Sequence, residues 1–330
     1  MTYATIVAGA IVVAMIAYVA SGGADFGSGI WDLFATGPRA DDQRRALWDA
    51  IAPIWEANHV WLLVALVLLF VAFPLAFSSI LTVLHIPLTI MLVGIVLRGS
   101  SFAFRSYSAG DDSVERQSAI VFAVSSTATP FMLGVAAGAI ASGNIDLPGA
   151  SPTEIDFVSA WLAPFPLAIG AFTLALCAFL AAVYMTLEVE NPVLREDFRR
   201  RGLAAAVAVG ITAFGSISLA RQGAPAIWRG LVVSRWAVPF QLATASIAVA
   251  TIGALWMRRF RLARLGAIAQ TALIIAGWAA AQYPYLLYPD LTIQQAAAAP
   301  SVLRPLVIAL AAGGTLLAPS FWYLYRVFGK

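Results

Sequence analysis

An all-α integral membrane protein with nine transmembrane helices is the fold class the sequence predicts, and three observations carry that prediction. Hydrophobic residues make up 61% of the 330-residue chain and charged residues only 11%, against about a quarter charged in soluble domains. The mean hydropathy is +0.85. The apolar residues run in stretches of about 20, the length that crosses a bilayer as a helix, and the 19 Arg and single Lys cluster between those stretches. A soluble globular domain, a disordered or collagenous chain and a disulfide-stapled scaffold are therefore excluded. The lone cysteine, Cys177, has no partner for an internal disulfide. A net charge of +3, spread over short loop clusters, does not describe a nucleic-acid-binding face.

The first apolar stretch covers 4–20 and continues helically to about 35. Its leading residues, Met1 to Thr5, carry no positive charge, so it reads as a span rather than a cleaved signal. The second and third stretches, 57–77 and 79–97, are separated by a tight segment over 73–80 with Pro74 at the turn, which predicts an antiparallel hairpin. The remaining stretches are 117–140, 158–187, 203–220, 236–257, 265–282 and 303–325. Residues 142–157 and 283–302 are rich in Pro, Gly and Ala and read as outer loops, not as a folded domain. No internal repeat is evident.

Counting cations in alternate loops sets the orientation. Fifteen basic residues fall on one side, including Arg39, Arg44, Arg45, the run Arg199–Arg201 and the group Arg258, Arg259, Arg261 and Arg264; the other side has four, Arg221, Arg229, Arg235 and Arg304. The excess marks the cytoplasmic side. The N-terminus is expected outside and the C-terminus in the cytoplasm, and an eight-helix count would scramble the alternation.

Ionisable residues inside spans are costly, by about 2.5–3.5 kcal/mol at a helix centre on insertion scales, and so mark candidate sites. Asp25 lies toward the cytoplasmic end of the first span. Glu56 stands at the cytoplasmic start of the second, with His59 one turn deeper, and Arg98 closes the third. The four are expected to converge in the cytoplasmic half. Such a set suits proton handling, because an apolar setting and a nearby arginine act on a carboxyl in opposite directions. The structural alternatives are an ion pair between Arg98 and an acid, or snorkelling of Arg98 and Glu56 to the interface. Glu56 and His59 have the Glu-x-x-His spacing of carboxylate-bridged di-metal bundles, which need a second such pair that the chain lacks, so no metal is expected. His85 reads as a packed or hydrogen-bonded histidine, and Gly22, Gly23, Gly27, Gly29, Gly134 and Gly138 as close-packing positions. No nucleotide loop or catalytic triad is present.

Several of these residues stand in a recognisable order. Ala24-Asp25-Phe26-Gly27-Ser28-Gly29, then Arg44-Arg45, then the run from Ile51 to Leu62 containing Pro53, Trp55, Glu56, Asn58, His59 and Trp61, resembles subunit II of the cytochrome bd quinol oxidases. Phe70 to Pro74, Arg98 with Phe102 to Arg105-Ser106, and Tyr323 in the last span fit the same family. Trp55, Asn58, Trp61 and Arg105 then belong to its structural motif, and the family's motif aspartate falls on Glu56. The chain departs from the pattern at Gly22, where a second aspartate is usual, at Ala57 and at His59, and its outer loops are brief.

The resemblance implies two four-helix bundles, over 1–150 and 151–290, and a peripheral ninth helix over 291–330. It implies a subunit of a respiratory-chain quinol:oxygen oxidoreductase in the bacterial cytoplasmic membrane, not catalytic alone. The two b haems and haem d would sit in a homologous partner, subunit I, with no cofactor in this chain. Quinol and oxygen would act at the complex, and a structural quinone and a small accessory subunit are further components found in some members. Glu56 would take up cytoplasmic protons, followed by His59, with Asp25 and Arg98 tuning the field. The alternative is a proton-coupled transporter, which purification would distinguish: a haem-bearing partner marks the oxidase, a colourless lone protein the transporter.

Overall fold

The computed structural model describes the backbone of residues 2–51, 55–107, 112–147 and 156–328; the side chains of 51, 55–57, 102, 105–107, 112–116 and part of 317–328 lie outside the described residues. Helix α1 (Tyr3–Leu33) opens at Thr2, whose hydroxyl accepts the Thr5 N–H, and runs unbroken through the glycine-rich stretch. After Gly37, at φ +84°, comes α2 (Ala40–Ile51), with Asp41 and Asp42 in its first turn where the helix dipole favours acids. The loop expected there is thus a helix, charged on one face and packed against α1 and α7 on the other.

Helix α3 (Trp55–Ala72) ends at Phe73, because Pro74 forces the preceding residue out of the helical region. The ten-residue α4 (Pro74–Val83) leaves at 117° to α3, and α5 (His85–Tyr107) begins after Leu84. The single tight hairpin expected at 73–80 is therefore a sharp bend at Phe73 followed by a short helix and a one-residue break at Leu84. Proline at the first position of α4 needs no N–H partner, so a new helix starts where a turn was expected.

The rest follows the predicted order: α6 (Asp112–Ser142), α7 (Pro164–Glu188), α8 (Pro192–Gly223), α10 (Ala237–Trp256), α11 (Phe260–Gln282) and α13 (Pro300–Phe328). Asp156 accepts the Ser159 and Val158 N–H groups ahead of α7, which holds its carboxyl below the usual range. A one-turn α9 (Pro225–Trp228) and a π-helical turn (Arg229–Val233) join α8 to α10. The segment 283–302 is not plain loop. Strands β1 (Tyr285–Leu287) and β2 (Leu291–Thr292) pair antiparallel, and α12 (Ile293–Ala296) starts at a reciprocal cap between Thr292 and Gln295. Gln294 donates to the Thr2 hydroxyl at 2.7 Å, fastening this element to the start of α1.

Among the described residues, six helices are long and apolar enough to cross a membrane, or seven if the bent α3–α4 pair is one span. They are α1, α6, α7, α8, α10 and α11, while α5 and α13 offer shorter apolar stretches, His85–Ser101 and Pro300–Leu316. Helix α1 packs against α3, α6, α7 and α11, so it is the element most others share. One apolar core surrounds its first turns, with Val7, Phe73, Leu84 and Leu287; another surrounds its second half, with Tyr18, Phe26, Leu180 and Leu255.

Candidate functional site

Every residue from Gly22 to Ile30 on α1 is buried, which no one-faced amphipathic helix would show. Small side chains explain it. A Cβ on Gly27 would run into the Cys177 carbonyl and Ala181 on α7, and one on Gly29 into Ser126 on α6. The glycines expected as packing positions let both helices close on α1. Gly134 and Gly138 do the same between α6 and α7, where Thr173, Ile169 and Pro166 occupy the space. The enclosure leaves Asp25 only 5% exposed.

A carboxylate so enclosed needs a donor. Asn58 on α3, itself buried, donates its amide N–H to Asp25 Oδ2 at 2.5 Å. The next residue, His59, is half-buried, its ring centre 5.9 Å from Phe26 and 6.0 Å from Tyr18. Arg98 on α5 is 2% exposed. Its guanidinium carbon lies 4.9 Å from the centre of the Phe26 ring and 5.3 Å from that of Phe122, and its Nε donates to Ser126 Oγ at 3.1 Å. Two aromatic faces and a hydroxyl thus meet the charge, a desolvated cation–π arrangement. Among the described residues, no carboxylate approaches Arg98 within the 4.0 Å of an ion pair, and its Nη2 has no hydrogen-bond partner.

Asp25, His59 and Arg98 therefore do come together, around Phe26. The side chains of Glu56, Trp55 and Arg105 lie outside the described residues; the backbone of Glu56 stands in α3 one turn before His59. Trp61 packs against the second core. His85 is apart from the cluster, its Nδ1 2.9 Å from the Thr82 carbonyl and its ring against Phe157. Among the described residues Arg98 is enclosed and has no carboxylate within ion-pair distance; whether it meets Glu56 falls on a side chain outside the described residues. Sequence reasoning missed Phe26, Phe122 and Ser126 as its surroundings. One signal was available: Phe122 and Ser126 are four apart and share a face of α6. Chemically, the cluster offers a carboxylate and an imidazole able to hold a proton, an amide that orients the first, and a fixed positive charge near both. No group of three His, Cys, Asp or Glu side chains placed to hold a metal occurs among the described residues.

Known proteins share the fold and parts of the sequence. The family described as cytochrome bd terminal oxidase subunit II matches residues 3–328. Over 113 residues, 34% of this chain and 32% of the relative, the sequence is 36% identical to cytochrome bd ubiquinol oxidase subunit 2 of Bacillus subtilis (strain 168). Over 94 residues, 28% of this chain and 24% of the relative, it is 31% identical to cytochrome bd-I ubiquinol oxidase subunit 2 of Escherichia coli (strain K12). The aligned stretches thus span a third or less of these curated relatives. A solved structure of bd oxidase from Geobacillus thermodenitrificans contains a chain of the same fold, with a TM-score of 0.83 at 23% identity, covering 100% of this chain and 99% of that one.

Proposed function

The chain belongs to the cytochrome bd terminal oxidase subunit II family, and from that premise we propose that it is the non-haem subunit of a quinol:oxygen oxidoreductase. In this reading it crosses the bacterial cytoplasmic membrane nine times, N-terminus outside, as bundles over 1–150 and 151–290 and a peripheral helix over 291–330. It supports a haem-bearing subunit I through close apolar packing and is not catalytic alone.

Haem does not suit the donors of this chain. His59 and His85 stand in separate surroundings, one among Tyr18 and Phe26 and the other beside Thr82 and Phe157. Two histidines also fall short of the axial ligands that three haems require. The haems are therefore assigned to the partner.

The part of the chemistry assigned to this chain is proton delivery from the cytoplasm, since reducing oxygen to water consumes protons. Glu56 accepts the proton at the membrane face and His59, one turn deeper, receives it. Asp25 and Arg98 set the field. The observation that carries this reading is the enclosed cluster itself: Asp25 held by Asn58, beside His59 and a cation that has no carboxylate within ion-pair distance among the described residues. Groups of this kind inside a membrane protein mark ion and proton paths.

The test is Glu56→Gln in the complex purified from its native host. Glutamine keeps shape and hydrogen bonding and removes the titratable proton. Oxygen consumption is expected to fall by about 100-fold, the lower end for a positioned proton donor or acceptor, with haem spectra unchanged, while Glu56→Asp retains substantial turnover. Wild-type turnover with an intact membrane potential in the glutamine variant would place proton entry elsewhere.

A further inference from the structure

Charges at the α7–α8 and α10–α11 turns do not balance. Glu188 takes Arg264 at 3.3 Å, and Glu196 takes Arg199 at 2.6 Å and Arg258 at 3.4 Å. Asp197, further along α8, takes Arg39 at 2.8 Å. Glu190, in the same turn, is exposed and forms no ion pair among the described residues, and Arg259 and Arg261, also exposed, likewise have no side-chain ion pair or hydrogen bond there. The two arginines border a shallow, open and mainly apolar cleft of about 380 Å³ at the turn, whose other walls are Leu187, Arg258, Phe260 and Leu262. Arg258 has φ +57°, the left-handed conformation that turns the chain sharply between two long apolar helices.

The surroundings say what kind of anion fits. Both α10 and α11 are long and apolar enough to span a bilayer, so the turn between them sits at a membrane face. Trp256, Met257, Leu262 and Leu265 flank it and are 72%, 69%, 52% and 63% exposed. Tryptophan at such a level anchors in the headgroup region. Two cations with no ion pair among the described residues therefore face the headgroup layer, over an apolar surface that acyl chains can cover. We propose that the cleft at the α10–α11 turn is a binding site for the headgroup of an anionic phospholipid, held by Arg259 and Arg261 with its chains along Leu262 and Leu265. A soluble phosphate would find the same cations but would leave the exposed apolar wall uncovered. This inference needs only the crossings of α10 and α11, not the oxidase reading.

The experiment is hydrogen–deuterium exchange of peptides covering 254–266 in the intact complex, in nanodiscs of phosphatidylglycerol or of phosphatidylcholine. Slower exchange in phosphatidylglycerol is expected. In Arg259→Gln/Arg261→Gln that difference should vanish, with affinity falling about 5-fold per arginine removed, whereas Arg304→Gln, in α13, should leave it unchanged. Equal exchange in the two lipids, or full protection in the double variant, overturns the proposal. So does equal protection produced by inorganic phosphate in phosphatidylcholine discs, which would make this a soluble-anion site. Should the double variant not assemble, the wild-type comparison between lipids and phosphate decides by itself, and the oxidase assay is not involved.

Discussion

Arginine occurs in two settings in this molecule. At the end formed by α2, α7 and α8, Arg39 forks onto Asp197 through two hydrogen bonds of 2.9 and 2.8 Å, and Gln43 joins the same carboxylate at 3.0 Å. Arg39 remains 46% exposed. In the cluster between α1, α5 and α6, Arg98 is enclosed, yet rings and a serine stand where an acid would be expected. Exposed pairs contribute roughly 0.2–1 kcal/mol because water and side-chain entropy offset the attraction. An enclosed charge is more consequential, since nothing replaces its surroundings when they are cut away. The pairs that look strongest by geometry are thus the ones the fold needs least.

The sharpest test of this contrast is Arg98→Ala. It empties a fully enclosed site, and the cost should resemble large-to-small core truncations, about 3 kcal/mol or more, read as a lower midpoint of thermal unfolding of the complex. Arg98→Met keeps most of the volume without the charge. If it unfolds with the wild type yet turns over poorly, the charge serves function and the volume serves the fold; if it is as unstable as the alanine variant, the cation–π stack itself holds the helices together.

A smaller effect is expected from Asn58→Ala, which removes the only side-chain donor to Asp25 among the described residues. Hydrogen bonds to charged groups contribute about 1.5–3 kcal/mol, and the same thermal measurement should show a loss in that range. An unchanged midpoint would mean that Asp25 is satisfied without the amide.

The smallest effect is expected at Arg39→Gln. Any shift in the midpoint should be slight and should disappear at high salt, because the pair is open to solvent and screened. A loss at Arg39 equal to that at Asn58 would erase the distinction between the two ends.

The convergence of Asp25, His59 and Arg98 was legible in the sequence because ionisable residues in apolar stretches are scarce, and the first three spans follow one another directly. What meets Arg98 was not legible. Phe26 comes from α1 and Phe122 from α6, and their approach depends on tertiary packing that the glycines of α1 permit. Long apolar helices announced themselves by length, whereas short elements did not. Helix α2 is too polar to be found by hydropathy, and β1, β2 and α12 are two to four residues each. Pro74 was correctly seen as a break, but a proline says that a helix stops and is equally at home where the next one begins. Glu56, placed at the head of the proton path by motif and arginine count, is the residue whose side chain lies outside the described residues.

The burial of α1 also bears on how the protein is made. Chains emerge N-terminus first, so Asp25 reaches the bilayer before Asn58, and well before the α6 and α7 surfaces that will enclose it at Ser126 and Cys177. An acid in a lone span is disfavoured there. The first helix therefore gains the enclosure of Asp25 only when the helices that need its glycines are in place. Its contact with Gln294, at Thr2, comes from a residue 292 positions later. Helix α13, later still in the chain, packs on the same first turns of α1, so the earliest helix is completed only by the last ones.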